Sequence, residues 1–173
     1  ARLVREVAGP DIRLMADSNW IFDVDDALEV GKGLAELDYF WFEEPIVPED
    51  LEGYRWLRQK LPLRLAAGES EHTAIGAAPL LTARAVGVIQ PDVARSGGIS
   101  ETRKIAGLAA ALHVPYAPHV GASGAICVAA SLHLAAAMPN FLTFECMIFP
   151  NPLRDKLLKQ PVGAVDTLVD GAL

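Results

Sequence analysis

Short apolar runs alternate with longer amphipathic segments along most of the chain. The apolar runs lack regular polar alternation, which is typical of parallel strands that are buried on both faces. The longer segments repeat apolar residues at helical spacing, as Ala27, Leu28 and Leu34 do in one of them. The predicted strands are residues 12–17, 39–43, 63–69, 86–92, 114–119 and 141–145, and the predicted helices are residues 25–37, 49–61, 72–85, 100–112 and 121–138. Strands that alternate with helices in this way indicate an α/β fold with a parallel sheet.

Each predicted strand ends in an ionisable residue, and these residues recur with a nearly constant period. Their separations are 26, 26, 23, 27 and 26 residues. In a (β/α) barrel the carboxyl ends of the strands converge on one face, where the active site is built. An open sheet would instead spread six such groups along an edge, so the period favours the barrel. The six residues are Asp17, Glu43, Glu69, Asp92, His119 and Glu145.

The first three of these residues are carboxylates on consecutive predicted strands. Asp17, Glu43 and Glu69 would repel one another at one barrel mouth unless a cation neutralised them. Ligand sets made only of oxygen suit Mg²⁺, or Mn²⁺ in its place. Any one of these acids alone is more often a solvated residue at the start of a loop. The regular spacing of all three favours a metal site instead.

The next two predicted strands end in Asp92 and His119, which form a candidate base. A carboxylate that holds one ring nitrogen of a histidine raises its basicity and leaves the other nitrogen to take a proton. Glu145, on the last predicted strand, is placed to hydrogen-bond a substrate oxygen. A metal beside such a pair indicates proton abstraction next to a carboxylate, with the metal neutralising the enediolate. Three further histidines lie in or beside predicted helices and are assigned structural roles: His72, His113 and His133.

Composition narrows the class of protein further. Of the 173 residues, 51% are apolar, so the chain can bury enough surface to fold. The net charge of −7 argues against a nucleic-acid partner, since nucleic-acid-binding domains are usually basic. Two cysteines cannot form a disulfide framework and suit the reducing cytoplasm, where we expect the protein. The charge-free stretch 121–138 contains Ser123, Ser131 and His133, which favours a buried helix over a membrane span.

Six short motifs accompany the strand-end residues in a fixed order. They are Ala-Asp-Ser-Asn at 16–19, Phe-Glu-Glu-Pro at 42–45, Ala-Gly-Glu at 67–69, Gln-Pro-Asp-Val-Ala-Arg-Ser-Gly-Gly-Ile at 90–99, Ala-Pro-His at 117–119 and Phe-Glu at 144–145. Their order and spacing over nearly the whole chain resemble the mandelate racemase/muconate lactonizing enzyme family of the enolase superfamily. Within that family the chain looks most like the acid-sugar dehydratases. The fold that this resemblance implies is a partial TIM-type (β/α) barrel, made of strands three to eight of the family's barrel domain.

The resemblance also implies a metal site. Asp17, Glu43 and Glu69 would ligate Mg²⁺, and Asn19 would lie close to the metal and the substrate. The period of two along a strand would turn the neighbouring Glu44 away from the centre of the site.

A reaction follows from the same resemblance. It implies that His119 is the general acid/base, that Asp92 orients it, and that Glu145 hydrogen-bonds the substrate carboxylate. The implied chemistry is dehydration of an acid sugar, in which the proton α to a carboxylate is removed and a β-hydroxyl leaves as water. Racemisation or epimerisation of a 2-hydroxy acid is the close alternative. Metal-assisted hydrolysis is less favoured because such sites commonly use several histidines, and a non-catalytic barrel relic or scaffold is the remaining interpretation.

Members of the resembled family are about twice as long as this chain. We therefore expect residues 1–173 to be the C-terminal part of an enolase-like barrel domain, with the N-terminal capping domain and the first two strands outside it. The expected partners are that missing half, a small hydroxy-carboxylate or acid sugar, and further copies in a homo-oligomer, with no membrane and no nucleic acid. Without the missing half we expect the chain to be insoluble or inactive, since an incomplete barrel leaves open strand edges.

Overall fold

A computed structural model of the chain describes residues 1–159. Strands and helices alternate along most of this part of the chain, which confirms the predicted α/β organisation. The strands are β1 (Leu14–Asp17), β2 (Tyr39–Glu43), β3 (Arg64–Ala67) and β4 (Val88–Ile89). The helices are α1 (Arg2–Ala8), α2 (Val24–Glu36), α3 (Leu51–Lys60), α4 (Thr73–Thr82), α5 (Ile99–Ala111), α6 (Ala125–Ala137) and α7 (Pro152–Asp155).

The four strands form one parallel sheet in the order β1-β2-β3-β4. Asp17 is the register partner of Glu43, and Glu43 is the register partner of Ala66. Because the strands run in the same direction, their carboxyl ends lie at one edge of the sheet. That edge therefore receives Asp17 and Glu43, which are the last residues of β1 and β2.

The chain divides into two compact units. The first consists of residues 1–68 and 79–89 and contains the whole sheet. Of the residues that the structure describes, the second consists of residues 69–78 and 90–159, and it contains α5, α6 and α7. The carboxylates predicted to form one site are therefore shared between the units, with Asp17 and Glu43 in the first and Glu69 in the second.

Strands β3 and β4 contribute much of the core of the first unit. Their side chains are apolar without interruption after Arg64, as expected of strands covered on both faces. The almost completely buried members are Leu65, Ala66, Ala67, Val88 and Ile89.

Helices α2 and α3 begin at aspartate caps, which set their positions beside the sheet. The Asp23 side chain accepts a hydrogen bond from the Asp26 amide at 2.9 Å, and the Asp50 side chain accepts one from the Gly53 amide at 2.8 Å. Such caps satisfy backbone donors that have no partner within the helix. Both helices start within two residues of their predicted starts.

The charge-free stretch of the second unit forms helix α6, as predicted, although the helix is shorter than the stretch. It buries Val128, Ser131 and Leu134, which recur at the spacing of one helix face. Among residues 1–159, no helix combines the length and the apolar character needed to cross a membrane.

Two predicted strands, 114–119 and 141–145, are not strands in the structure. The two segments meet in an isolated parallel bridge between Tyr116 and Phe141, where the amide and the carbonyl of Tyr116 each form a 2.8 Å backbone hydrogen bond. If the pairing continued as a parallel ladder, the next backbone donor in the segment 114–119 would be residue 118, which is a proline and has no N–H. The pairing therefore does not extend into a ladder.

Glu44 follows β2 directly and is a buried carboxylate that joins three parts of the first unit. Its Oε2 accepts hydrogen bonds from the Trp20 indole N–H at 2.8 Å and the Tyr54 hydroxyl at 2.9 Å. Its Oε1 accepts one from the Gly68 amide at 2.9 Å. Trp20 follows β1, Tyr54 lies in α3 and Gly68 follows β3, so one side chain links the neighbourhood of all three elements.

Replacing Glu44 tests this link. Glu44→Ala is expected to lower the free energy of unfolding by about 3 kcal/mol, because buried donors lose their acceptor. The control is Glu52→Ala, which removes an exposed glutamate paired with Arg55 in α3 and is expected to change it by less than about 1 kcal/mol. Urea unfolding of both variants of the whole protein, followed by circular dichroism, measures the difference. Equal losses in the two variants would contradict the role given to Glu44.

Candidate active site

Asp17 and Glu43 lie side by side in the first unit, at the ends of β1 and β2. Asn19 holds the carboxylate of Asp17: its backbone amide donates to Oδ1 at 3.0 Å and its side-chain amide donates to Oδ2 at 2.9 Å. The backbone of Asn19 has φ of 46°, a left-handed conformation that asparagine adopts more readily than most residues. The structure thus places Asn19 directly against the first of the predicted metal ligands.

Glu43 is oriented from its own strand. Its Oε2 accepts a hydrogen bond from the Trp41 indole N–H at 2.9 Å. The two residues are two positions apart on β2, so their side chains leave the same face of the strand. Trp41 is only 5% exposed, and its packed ring gives Glu43 a fixed donor.

Glu69, in the second unit, is a buried carboxylate with a cationic partner. Its Oε1 forms an ion pair with Nη1 of Arg95 at 2.9 Å, and its Oε2 lies 3.2 Å from Nε2 of His119. Burying a carboxylate is costly without partners of this kind. The role of Arg95 was not predicted from the sequence. The available signal was its position as the one basic residue of the 90–99 motif, three residues after Asp92.

Asp92 and His119 are in direct contact, as the candidate base requires. Oδ2 of Asp92 lies 2.8 Å from Nδ1 of His119, and the two residues are also joined by an isolated parallel bridge. Oδ1 of Asp92 accepts a hydrogen bond from the Ala94 amide at 2.6 Å and lies 3.8 Å from Sγ of Cys127. Contacts on both oxygens of this buried carboxylate fix its orientation, and the carboxylate in turn fixes the imidazole ring.

The surroundings of His119 favour its protonated form. Burial alone would lower the pKa of His119, but the hydrogen bond to Asp92 and the negative charges of Glu69, Glu145 and Asp92 raise it above its ordinary value. Burial alone would raise the pKa of Asp92, but the hydrogen bonds from His119 and from the Ala94 amide lower it overall. With Nδ1 bonded to Asp92, Nε2 is the ring nitrogen that can exchange a proton with a substrate.

Glu145 lies beside His119 on an irregular segment, because the strand predicted at 141–145 does not form. Its Oε2 accepts hydrogen bonds from the backbone amides of Val120 at 2.6 Å and Gly121 at 2.9 Å. Gly121 has φ of 49°, and a Cβ there would lie 2.8 Å from Cε1 of His119. Glycine at this position therefore lets the loop approach the imidazole ring closely.

The structure divides the three predicted metal ligands between the two units. Asp17 and Glu43 are register partners in the first unit, and Glu69 contacts Arg95 and His119 in the second. Within residues 1–159, no three His, Cys, Asp or Glu side chains are arranged as a ready-made metal site. The chemistry of the three carboxylates nonetheless fits a hard divalent cation, because they supply only oxygen donors.

Comparison with known families then decides the relationship. Residues 1–170 match the model of the family described as enolase C-terminal domain-like. The chain belongs to this family. The resemblance noted in the sequence and the predicted fold class, an α/β partial (β/α) barrel of the enolase superfamily, are both confirmed.

Curated relatives and a solved structure support the same assignment. The chain is 40% identical over 174 residues to D-galactarolactone cycloisomerase of Agrobacterium fabrum, covering 96% of this chain and 46% of the relative. It is 35% identical over 161 residues to arabinonate dehydratase of Saccharolobus solfataricus, covering 93% and 43%. A crystal structure of a Bradyrhizobium enolase complexed with magnesium and mandelic acid matches with a TM-score of 0.83 at 31% identity, covering 95% of this chain and 43% of that chain. The chain thus spans less than half the length of these proteins.

The electrostatic coupling between Asp92 and His119 predicts that replacing Asp92 changes the pKa of His119. Asp92→Asn is expected to lower the pKa of His119 in the metal-free protein, because the variant keeps a hydrogen-bond acceptor but removes the adjacent negative charge. NMR titration of the His119 ring protons measures the change. Asp25→Asn, at an exposed position in α2, is the matched control and should leave the titration unchanged. An unchanged pKa of His119 in Asp92→Asn would contradict the coupling.

Proposed function

We propose that the protein containing this chain removes the proton α to a carboxylate and dehydrates an acid sugar in an Mg²⁺-dependent reaction. The observation that carries the proposal is the pair of contacts made by His119. One ring nitrogen meets Asp92 and the other meets Glu69, so a buried base stands next to a predicted metal ligand. This arrangement suits proton transfer close to a bound cation.

The proposed Mg²⁺ ligands are Asp17, Glu43 and Glu69, and Mn²⁺ could take the same place. When bound, the cation would neutralise the negative charge that develops on the substrate carboxylate. Asn19 would keep the Asp17 carboxylate in position through its two hydrogen bonds. Arg95 would hold Oε1 of Glu69, and Oε2, which lies 3.2 Å from Nε2 of His119, would exchange that contact for the cation.

His119 is the proposed general acid/base. With Asp92 holding Nδ1, Nε2 accepts the proton from the α-carbon and returns a proton to the β-hydroxyl, which leaves as water. The buried negative charge of Asp92 stabilises the imidazolium that forms between these two transfers.

Glu145 is the proposed contact to the substrate, and its hydrogen bonds indicate which of its carboxylate oxygens would make that contact. Its Oε2 is engaged by the amides of Val120 and Gly121. Among residues 1–159, its Oε1 has no hydrogen-bond partner and would meet the substrate beside His119.

We prefer dehydration over racemisation and over a scaffold role because of the substrates that the relatives' names give. Arabinonate dehydratase acts on a sugar acid by name, and the cycloisomerase acts on a lactone of a sugar acid. Racemisation of a 2-hydroxy acid is the second candidate, because the matching Bradyrhizobium structure holds magnesium and mandelic acid, a 2-hydroxy acid. A non-catalytic scaffold is disfavoured by the ordered contacts among Glu69, Asp92 and His119.

Replacing the base tests the proposed reaction. His119→Asn is expected to reduce turnover of a panel of aldonic and aldaric acids by about 10²–10⁴-fold, because proton transfer loses its acceptor and donor. A carbonyl reagent detects the 2-keto-3-deoxy acid that dehydration forms. His133→Asn changes an exposed histidine of α6 and should retain wild-type turnover.

The same assay in D₂O separates the two candidate reactions. Formation of a keto acid supports dehydration, whereas inversion with deuterium incorporated at the α-carbon and no keto acid would favour racemisation. Wild-type turnover by His119→Asn would refute both versions of the mechanism.

Metal binding has its own test. Asp17→Asn and Glu69→Gln are each expected to weaken Mg²⁺ binding in the whole protein by more than the roughly 10–100-fold that loss of an outer-shell partner causes. Isothermal titration calorimetry measures the affinity, with Asp25→Asn as the control for loss of one surface charge. Unchanged affinity in both ligand variants would remove the proposed site.

A further inference from the structure

A pocket lies in the first unit, at the amino ends of β2 and β3. Its volume is about 430 Å³. Tyr39 is the first residue of β2 and Arg64 is the first residue of β3, and both line the pocket. The predicted metal ligands Asp17 and Glu43 terminate β1 and β2, so this pocket lies at the opposite ends of the strands.

Two arginine side chains converge on the pocket. Arg58 comes from α3 and Arg64 from β3, and both approach Gly87. A Cβ placed on Gly87 would lie 3.3 Å from Cβ of Arg64 and 3.5 Å from Nε of Arg58. The absence of a side chain at residue 87 therefore leaves room for Cβ of Arg64 and Nε of Arg58 beside the same residue.

One of these two arginines, Arg64, is held by an aromatic ring instead of by a carboxylate. The guanidinium of Arg64 lies 4.5 Å from the centroid of the Phe40 ring, and that of Arg13 lies 5.0 Å from the same centroid. None of Arg13, Arg58 and Arg64 forms an ion pair within residues 1–159. By contrast, Arg55, one helical turn before Arg58 in α3, is paired with Glu52.

The pocket lining carries the positive charges of Arg58 and Arg64 against the single negative charge of Asp38, in a chain whose net charge is −7. Cation–π contact with Phe40 orients a guanidinium without neutralising it. Like charges brought together in this way repel one another, and a bound anion would relieve the repulsion. Guanidinium groups bind carboxylate and phosphate oxygens in a bidentate manner, so the chemistry of the missing counter-charge is that of an oxyanion.

We propose that this pocket binds a small organic oxyanion, with its carboxylate or phosphate group between Arg58 and Arg64. Phe40 supplies apolar surface for the body of the ligand, while Tyr39 and Leu63 also line the pocket but are almost completely buried. Asp38 also lines the pocket and would accept a hydrogen bond from a hydroxyl or ammonium group of the same ligand. The proposal does not depend on the reaction assigned to His119.

Binding of two aromatic anions to the metal-free whole protein tests the site. The probes are phenyl phosphate and benzoate, with inorganic phosphate as the anion without an apolar body, and isothermal titration calorimetry reads the affinity. Metal-free protein is used because a bound cation would attract the same anions to the acidic edge of the sheet. Tighter binding of phenyl phosphate identifies the natural group as a phosphate, and tighter binding of benzoate identifies it as a carboxylate.

Variants in and beside the pocket test whether the anion probes bind there. Arg58→Ala and Arg64→Ala are each expected to weaken binding of the preferred aromatic probe at least 10-fold. Gly87→Ala is expected to weaken it by displacing the side chains of Arg58 and Arg64, which its Cβ would crowd, without changing charge. The matched control Arg55→Ala removes an arginine from the same helix and should leave binding unchanged. Circular dichroism confirms that each variant is folded.

Three results would overturn the proposal. They are no measurable binding of either aromatic probe, equal loss of affinity in Arg55→Ala and Arg64→Ala, and inorganic phosphate binding as tightly as phenyl phosphate and benzoate. Loss of catalysis in the His119 variant would leave the binding result untouched, so failure of one proposal is distinguishable from failure of the other.

Discussion

The parallel alignment of neighbouring strands is the constraint on which the candidate site depends. In the first unit this alignment makes Asp17 the register partner of Glu43. In the second unit a single parallel bridge makes Asp92 the partner of His119, even though no extended ladder forms there. The members of each pair are one strand-and-helix repeat apart in the sequence. Contact between them therefore follows from the direction of the strands, whatever the loops between them contain.

Acids gathered at strand ends must be neutralised or stay exposed, and the two units differ in this respect. In the second unit Glu69 and Asp92 are almost completely buried, and both contact His119. In the first unit Asp17 is exposed, and both hydrogen bonds to its carboxylate come from the neutral amide groups of Asn19. Neutral donors orient a carboxylate without cancelling its charge, so they leave the negative potential of Asp17 to attract a divalent cation. This difference supports the proposed role of Asp17 as a metal ligand.

Periodicity predicted the elements better than it predicted the contacts. Strand β2 has the predicted bounds of 39–43 because an uninterrupted aromatic run fits a strand. The failure of the strand at 114–119 was foreseeable, since Pro118 cannot donate to a ladder. The bonds of Glu44 and Arg95 were not foreseeable in the same way. Their partners lie up to 26 residues away, and which side chain meets which depends on packing between elements that the spacing of apolar residues does not encode.

The two ends of the sheet in the first unit carry opposite charge, and the length of the strands keeps their effects apart. Arg64 begins β3 beside the anion pocket, whereas Glu43 ends β2 at the acidic edge. A five-residue strand at about 3.3 Å per residue separates its ends by roughly 13 Å. Electrostatic interactions between exposed charges decay over about 8 Å at physiological ionic strength. An anion bound at the amino ends would therefore do little to cancel the field that holds a cation at the carboxyl ends, so one short sheet can offer two ligand sites of opposite charge.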